Sequence, residues 1–145
     1  MRAWGAFVAF AMAALVGAKE PPKSLMIGVK YRPEFCPFKS QDGDQVHVHY
    51  TGRLWEGKKF DSSYDRGEPL PLKLGAGAVI AGWEQGLRDM CIGEKRKLQI
   101  PPELGYGSMN LGDIIPPDST LVFDVELVDI NGQSAYVQPE SHEDL

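Results

Sequence analysis

Thr120-Leu121-Val122-Phe123-Asp124-Val125-Glu126-Leu127-Val128-Asp129-Ile130 is the stretch that decides the fold. Leu121, Phe123, Val125 and Leu127 fall in one phase, and a period of two is the spacing of a strand with one buried face. Gln45 to Thr51 repeats the pattern, with Val46, Val48 and Tyr50 on one side and Gln45, His47 and His49 on the other. Leu70, Leu72 and Leu74 alternate and stop at Gly75. Ser24 to Tyr31 and Glu94 to Ile100 read as two further strands, the second ended by Pro101-Pro102. One segment keeps a different period. Val79, Trp83 and Leu87 recur every four residues within Val79 to Met90, which predicts one short helix. Gly82 and Gly86 weaken it, so it needs a sheet to pack on. The expected fold class is α+β, a twisted antiparallel sheet of about five strands wrapped around one short helix. Asp61-Ser62-Ser63 and Asp65-Arg66-Gly67-Glu68-Pro69 read as polar irregular segments. Residues 103–119 form a long loop rich in Gly and Pro, a length that in compact domains is usually functional or disordered.

A chain of 145 residues, 43% hydrophobic and 24% charged, is the size and composition of one ordinary globular domain. Its net charge of −5 argues against nucleic acid as a partner, since phosphate binding needs clustered Lys and Arg. No apolar run reaches the length of about 18 residues that a membrane-spanning helix needs. The start reads Met1-Arg2, then an apolar run from Ala3 to Val16, then Val16-Gly17-Ala18 as a small-residue cleavage site before Lys19. That order matches a secretory signal peptide over residues 1–18. A buried N-terminal helix is the other reading, and Lys19-Glu20-Pro21-Pro22 argues against it. The domain is expected over 19–131, followed by a mobile tail over 132–145. The tail ends in His142-Glu143-Asp144-Leu145, which resembles the H-D-E-L retrieval signal with its two acids exchanged. The expected location is therefore the lumen of the endoplasmic reticulum, with a retrieval receptor as a partner and some leakage if the signal is imperfect. In that oxidising compartment Cys36 and Cys91 are expected to form a disulfide rather than stay free. A redox pair is the alternative, and their spacing is nothing like C-x-x-C.

The usual catalytic constellations are missing: no G-x-S-x-G, no H-E-x-x-H, no P-loop and no dinucleotide glycine motif. His47 and His49 share a strand face and offer two metal ligands, but no third lies near, so they are read as structural. No metal and no cofactor are expected. Lys95-Arg96-Lys97 is read as a solvated strand face and an edge guard. What stands out is a supply of aromatics near irregular segments: Tyr50, Phe60, Trp83, Tyr106 and Phe123. They are either ordinary core or the lining of an apolar cup with a few polar groups at its rim.

Several longer stretches are more specific. Val48-His49-Tyr50-Thr51-Gly52, Phe60-Asp61-Ser62-Ser63, Val79-Ile80-Ala81-Gly82-Trp83-Glu84-Gln85-Gly86-Leu87, Leu104-Gly105-Tyr106-Gly107, Ile114-Ile115-Pro116-Pro117 and Leu121 to Leu127 occur in this order. Together the sequence resembles the FKBP-type peptidyl-prolyl cis-trans isomerases, most closely their small members of the endoplasmic-reticulum lumen, across roughly residues 27–130. The two cysteines also sit where luminal members carry their disulfide. The resemblance implies an FKBP-like roll with Trp83 as the pocket floor and Tyr50, Phe60 and Phe123 as walls. Val79 and Ile80 would open the helix, with the Ile80 N–H donating to a bound carbonyl. Asp61 would be a polar rim group paired with Arg66, Tyr106 would donate its hydroxyl, and Ile115 would close the far side. Leu70 stands where many members have Phe, so one wall is less aromatic. Ala78 and Met109-Asn110-Leu111 also depart from the common pattern. The implied partners are proline-containing polypeptide clients and the macrolide immunosuppressants tacrolimus and rapamycin. A monomer is expected, because no helix is long enough for a coiled coil. The alternative is a non-catalytic module or co-chaperone that holds a proline-containing segment.

Overall fold

The computed structural model describes residues 20–134, so the expected signal peptide over residues 1–18 and the terminal tetrapeptide His142 to Leu145 lie outside the described residues. Six strands form one antiparallel sheet: β1 (Met26–Tyr31), β2 (Gln45–Leu54), β3 (Lys59–Ser62), β4 (Leu70–Lys73), β5 (Lys95–Ile100) and β6 (Leu121–Ile130). Their order across the sheet is β1-β5-β6-β2-β3, and β4 pairs with the first half of β2. The two longest strands, β2 and β6, run together from Val46 opposite Ile130 to Leu54 opposite Leu121, with a register shift after His47. The period of two in the sequence becomes the core face directly: Val46, Val48, Tyr50 and Leu54 are buried on β2, and Leu121, Phe123, Val125 and Leu127 on β6.

The structure has six strands where about five are expected. The addition is β3, Lys59-Phe60-Asp61-Ser62, which holds a single apolar residue and so shows no alternation. Two α-helices replace the one expected. The first, α1 (Ser63–Arg66), lies in a segment read as irregular; Ser62 caps it by accepting from the Tyr64 N–H, and Gly67 ends it at φ 80°. The second, α2 (Ala81–Gly86), is shorter than the predicted Val79 to Met90. Val79 and Ile80 precede it, Ile80 in extended backbone, and Leu87 to Met90 follow it.

The glycines of α2 allow it to lie against β5. A methyl group at Gly82 would stand 2.6 Å from Ile100 Cγ2, and one at Gly86 would stand 2.8 Å from Leu98. Ile100 and Leu98 are fully buried and cannot swing aside. Gly82→Ala is therefore expected to destabilise the protein, although alanine is the better helix former. Overpacking costs about 1–3 kcal/mol, against a propensity gain of about 1 kcal/mol. Urea unfolding checks this: the midpoint should fall in Gly82→Ala and partly recover in Gly82→Ala/Ile100→Val.

Lys95-Arg96-Lys97 does not guard an edge. β5 is an interior strand between β1 and β6, and Arg96 faces inward at 5% exposure. Its guanidinium donates to the carbonyls of Gly86, Arg88 and Asp89, at 2.9, 2.7 and 3.1 Å, which belong to the last residue of α2 and to the turn that follows it. The buried carboxylate of Glu94 holds it at 2.6 Å and also accepts from Arg32 and from the Cys91 N–H. Burial opposes ionisation of Glu94, but these donors and the neighbouring cations outweigh it and hold the carboxyl below its ordinary value. Cys91 is bonded to Cys36, which ties the segment before β2 to the end of the helical region. A closed loop of 55 residues is worth about 4 kcal/mol in chain entropy.

Candidate functional site

α2 and the sheet enclose a cavity of about 460 Å³ between the middle of β2, the end of β3, and the loops before α2 and after β5. Trp83, Tyr50, Phe60 and Phe123 line it with their rings. Trp83 meets Tyr50 edge to face at 5.0 Å and Phe123 edge to face at 5.3 Å. Phe60 meets Phe123 in the same way at 5.6 Å. Edge-to-face pairs are favourable beyond their buried area, so the lining is rigid. Gly52 makes room for it: a Cβ there would stand 2.7 Å from both Phe123 and Phe60. This is why a glycine interrupts an otherwise regular strand.

The rim carries one tightly bonded polar group. Tyr50 Oη donates to Asp61 Oδ2 at 2.5 Å. Arg66 donates to Asp61 Oδ1 at 2.7 Å and to Tyr50 Oη at 2.8 Å, and the Ser62 N–H donates to Asp61 Oδ1 at 2.8 Å. Helix α1 is what brings Arg66 back over Asp61, five residues earlier. Burial alone would raise the Asp61 pKa; the Tyr50 hydroxyl and the Arg66 guanidinium outweigh it and hold the carboxyl below its ordinary value. Burial, then the Asp61 carboxylate, pushes the Tyr50 and Tyr106 hydroxyls up.

The Ile80 N–H at the start of α2 and the Tyr106 hydroxyl are among the cavity donors with no acceptor among the described residues. Trp83 Nε1 is buried without a partner. Leu70 and Val79 also line the cavity. Two residues named from the resemblance do not. Arg66 stands behind Asp61, and Ile115, 4% exposed, points from the long loop into the core. Gly77, Gly105 and Met109 line the cavity without having been anticipated as site residues. Gly77 has φ +71°, so its signal in the sequence was the residue type a left-handed turn requires.

His47 Nδ1 lies 2.7 Å from Asp129, and His49 Nδ1 lies 2.8 Å from the buried Ser63 hydroxyl and stacks on Tyr64. Among the described residues, no group of three His, Cys, Asp or Glu side chains converges as metal ligands. No described helix is long and apolar enough to cross a membrane.

Residues 36–128 match the sequence pattern of the FKBP-type peptidyl-prolyl cis-trans isomerases. This chain belongs to that family. FK506-binding protein 2 of Dictyostelium discoideum is 55% identical over 124 residues, covering 86% of this chain and 93% of that protein. Peptidyl-prolyl cis-trans isomerase FKBP2 of Mus musculus is 53% identical over 86% of this chain and 88% of its own length. Among solved structures, the crystal structure of AtFKBP13 superposes with a TM-score of 0.64 at 40% identity, covering 73% of this chain and 92% of that one. The FKBP-like fold and the isomerase class follow from these relations, and the rim chemistry above belongs to an FKBP-type isomerase.

The activity of this FKBP-type enzyme is expected to be flat with pH. Asp61 is held below its usual range, and Tyr50 and Tyr106 are pushed above theirs. None of the three changes charge between about pH 5 and 9. Initial isomerisation rates should agree within about twofold across that range, and a bell-shaped profile would point instead to general acid–base catalysis.

Proposed function

We propose that this isomerase speeds X–Pro rotation in secretory polypeptides as they fold in the lumen of the endoplasmic reticulum, and that it works by desolvation. The observation that carries the reading is an aromatic cavity lined by Tyr50, Phe60, Trp83 and Phe123, with the Ile80 N–H and the Tyr106 hydroxyl beside it and without acceptors. Rotation about the imide has a barrier of about 18–20 kcal/mol, because twisting breaks its resonance. The planar imide is dipolar and water stabilises it; the twisted form is less charge-separated. An apolar cavity removes that preference for the ground state. Each tenfold in rate needs about 1.4 kcal/mol, so shape and desolvation suffice without nucleophile, base or metal.

In this proposal Trp83 is the floor, and Tyr50, Phe60 and Phe123 are the walls. The Ile80 N–H and the Tyr106 hydroxyl hold substrate carbonyls and fix the proline ring over Trp83. Asp61, anchored by Tyr50 and Arg66, orients the substrate and moves no proton. Leu70 and Val79 select an apolar residue before the proline, and Ile115 supports the loop that closes the far side. The same cavity takes tacrolimus and rapamycin, in keeping with FK506-binding relatives. The luminal setting is supported by the Cys36–Cys91 disulfide, the signal-like residues 1–18 and the retrieval-like ending.

The test is prolyl isomerisation of a short apolar-Pro peptide by oxidised protein spanning residues 19–145. Tacrolimus and a Tyr50→Phe/Asp61→Ala variant provide the controls. Catalysis lost with both supports the site; catalysis by the variant at the wild-type rate removes Asp61 and Tyr50 from it. Binding of proline peptides without catalysis would make the protein a binding module.

A further inference from the structure

Strand β1 closes one side of the sheet and pairs with β5 alone. Its outer side therefore carries a row of backbone N–H and C=O groups outside the ladder. All six of its residues are exposed, including Met26 at 50%, Ile27 at 45% and Val29 at 48%. Edge strands are usually blunted by lysine, proline or a bulge. β1 has Lys30 and a register shift between Val29 and Tyr31 at one end, whereas Met26 to Val29 has neither. A concavity of about 240 Å³ runs along this stretch, lined by Met26 to Lys30 together with Lys97 and Gln99.

The two faces of the edge differ. Ile27 and Val29 sit opposite the inward-facing Leu98 and Arg96, so they form an apolar side. Met26 and Gly28 sit opposite Gln99 and Lys97, so the other side is polar and cationic. Gly28 has no side chain, and nothing but a backbone oxygen at 3.8 Å lies where one would be, so Lys97 has a clear path to the edge. Lys30, Lys95 and Lys97 make no ion pair among the described residues, in a chain whose net charge is −5. The nearest acids across β5 are Asp124 and Glu126 on β6, and Asp124 already pairs with Arg53.

We propose that the β1 edge is a second polypeptide-binding surface, which takes an extended, proline-free segment of alternating acidic and apolar residues as an added antiparallel strand. The alternation follows from the pleat: apolar side chains lie beside Ile27 and Val29 while acids on the other face meet Lys97 and Lys30. A second copy of this chain fits poorly, because two β1 strands would bring like charges together. The surface shares no residue with the aromatic cavity, so it acts independently of isomerisation.

The test uses a fluorescent ten-residue peptide alternating Glu and Val, with a Lys–Val peptide of the same length as control. Binding is read by anisotropy and by backbone amide shifts of the oxidised protein. The Glu–Val peptide should bind, shift amides of residues 26–30, and lose affinity about tenfold in Lys30→Glu/Lys97→Glu. Both lysines reach solvent, and unfolding midpoint and isomerase rate should stay at wild-type values in that variant. The proposal is overturned by equal binding of both peptides, by no binding at millimolar peptide, or by shifts confined to the aromatic cavity. Self-association through β1 in sedimentation, or binding to phosphatidylserine vesicles but not to the peptide, overturns it as well.

Discussion

Trp83→Ala is expected to remove a large part of the protein's stability margin and nearly all of its isomerase activity. Trp83 is 4% exposed and holds edge-to-face contacts with both Tyr50 and Phe123. Truncating a buried aromatic of this kind costs about 3–5 kcal/mol, against about 5–15 kcal/mol for a whole domain. In the proposed mechanism the cavity would also lose its floor, and substrate would no longer be held out of water. Trp83→Phe should behave differently. The indole Nε1 has no acceptor, so phenylalanine deletes an unsatisfied donor and no hydrogen bond is lost. That variant should stay within about 2 kcal/mol of wild type, since the deleted donor offsets part of the lost packing. Urea unfolding gives the stabilities, and isomerisation per folded molecule gives the activity. Full activity in folded Trp83→Ala would show that the floor does not matter.

Glu94→Ala should be as damaging to stability while touching no cavity residue. Glu94 is fully buried, and its loss leaves Arg96 as an uncompensated buried cation. Breaking such a pair from one side costs about 3–5 kcal/mol. Arg96 holds the carbonyls at the end of α2, so Trp83 should shift and activity fall with stability. Replacing both partners by apolar residues, as in Glu94→Leu/Arg96→Met, should recover a large part of the loss of stability. Glu94→Gln separates charge from shape. The folded-state pKa of Glu94 lies below its ordinary 4.5, so its ionised form stabilises the fold above pH 4.5. That contribution fades as pH falls through the lower, folded-state value. Wild type should therefore lose more stability on acidification than Glu94→Gln, read as urea midpoints at pH 7 and pH 3. Equal losses would remove the charge from the argument.

Much of the fold was legible in local pattern. β2 and β6 announce themselves because both bury one face, and alternation survives wherever one face is wet. β3 and α1 did not, since Lys59-Phe60-Asp61-Ser62 and Ser63-Tyr64-Asp65-Arg66 carry no apolar alternation and both rest on neighbours: Ser62 caps α1 while it pairs with Thr51 of β2. α2 was placed but overestimated. Its apolar residues every four positions mark a buried face, and that face continues through Leu87 after the helix has ended. In the candidate site, the ring residues were legible through the family resemblance, and the structure puts Tyr50, Phe60, Trp83 and Phe123 around one cavity. Arg66 was expected beside Asp61 and pairs with it there, outside the cavity lining, and Ile115 is buried in the core.

By itself the sequence determined the class of fold, the position of the long strands and the stretches that mark the family, because periodicity and motif are properties of neighbouring residues. Tertiary structure alone decided that Arg96 turns inward to hold the end of a helix, since a charge on a strand is wet or buried according to what lies across from it. It also decided that Gly52 and Gly82 are places of close approach and not weak points. Whether a missing side chain costs or allows something depends on the ring or branch that occupies its space, and Phe60, Phe123 and Ile100 reach that space from elsewhere in the chain.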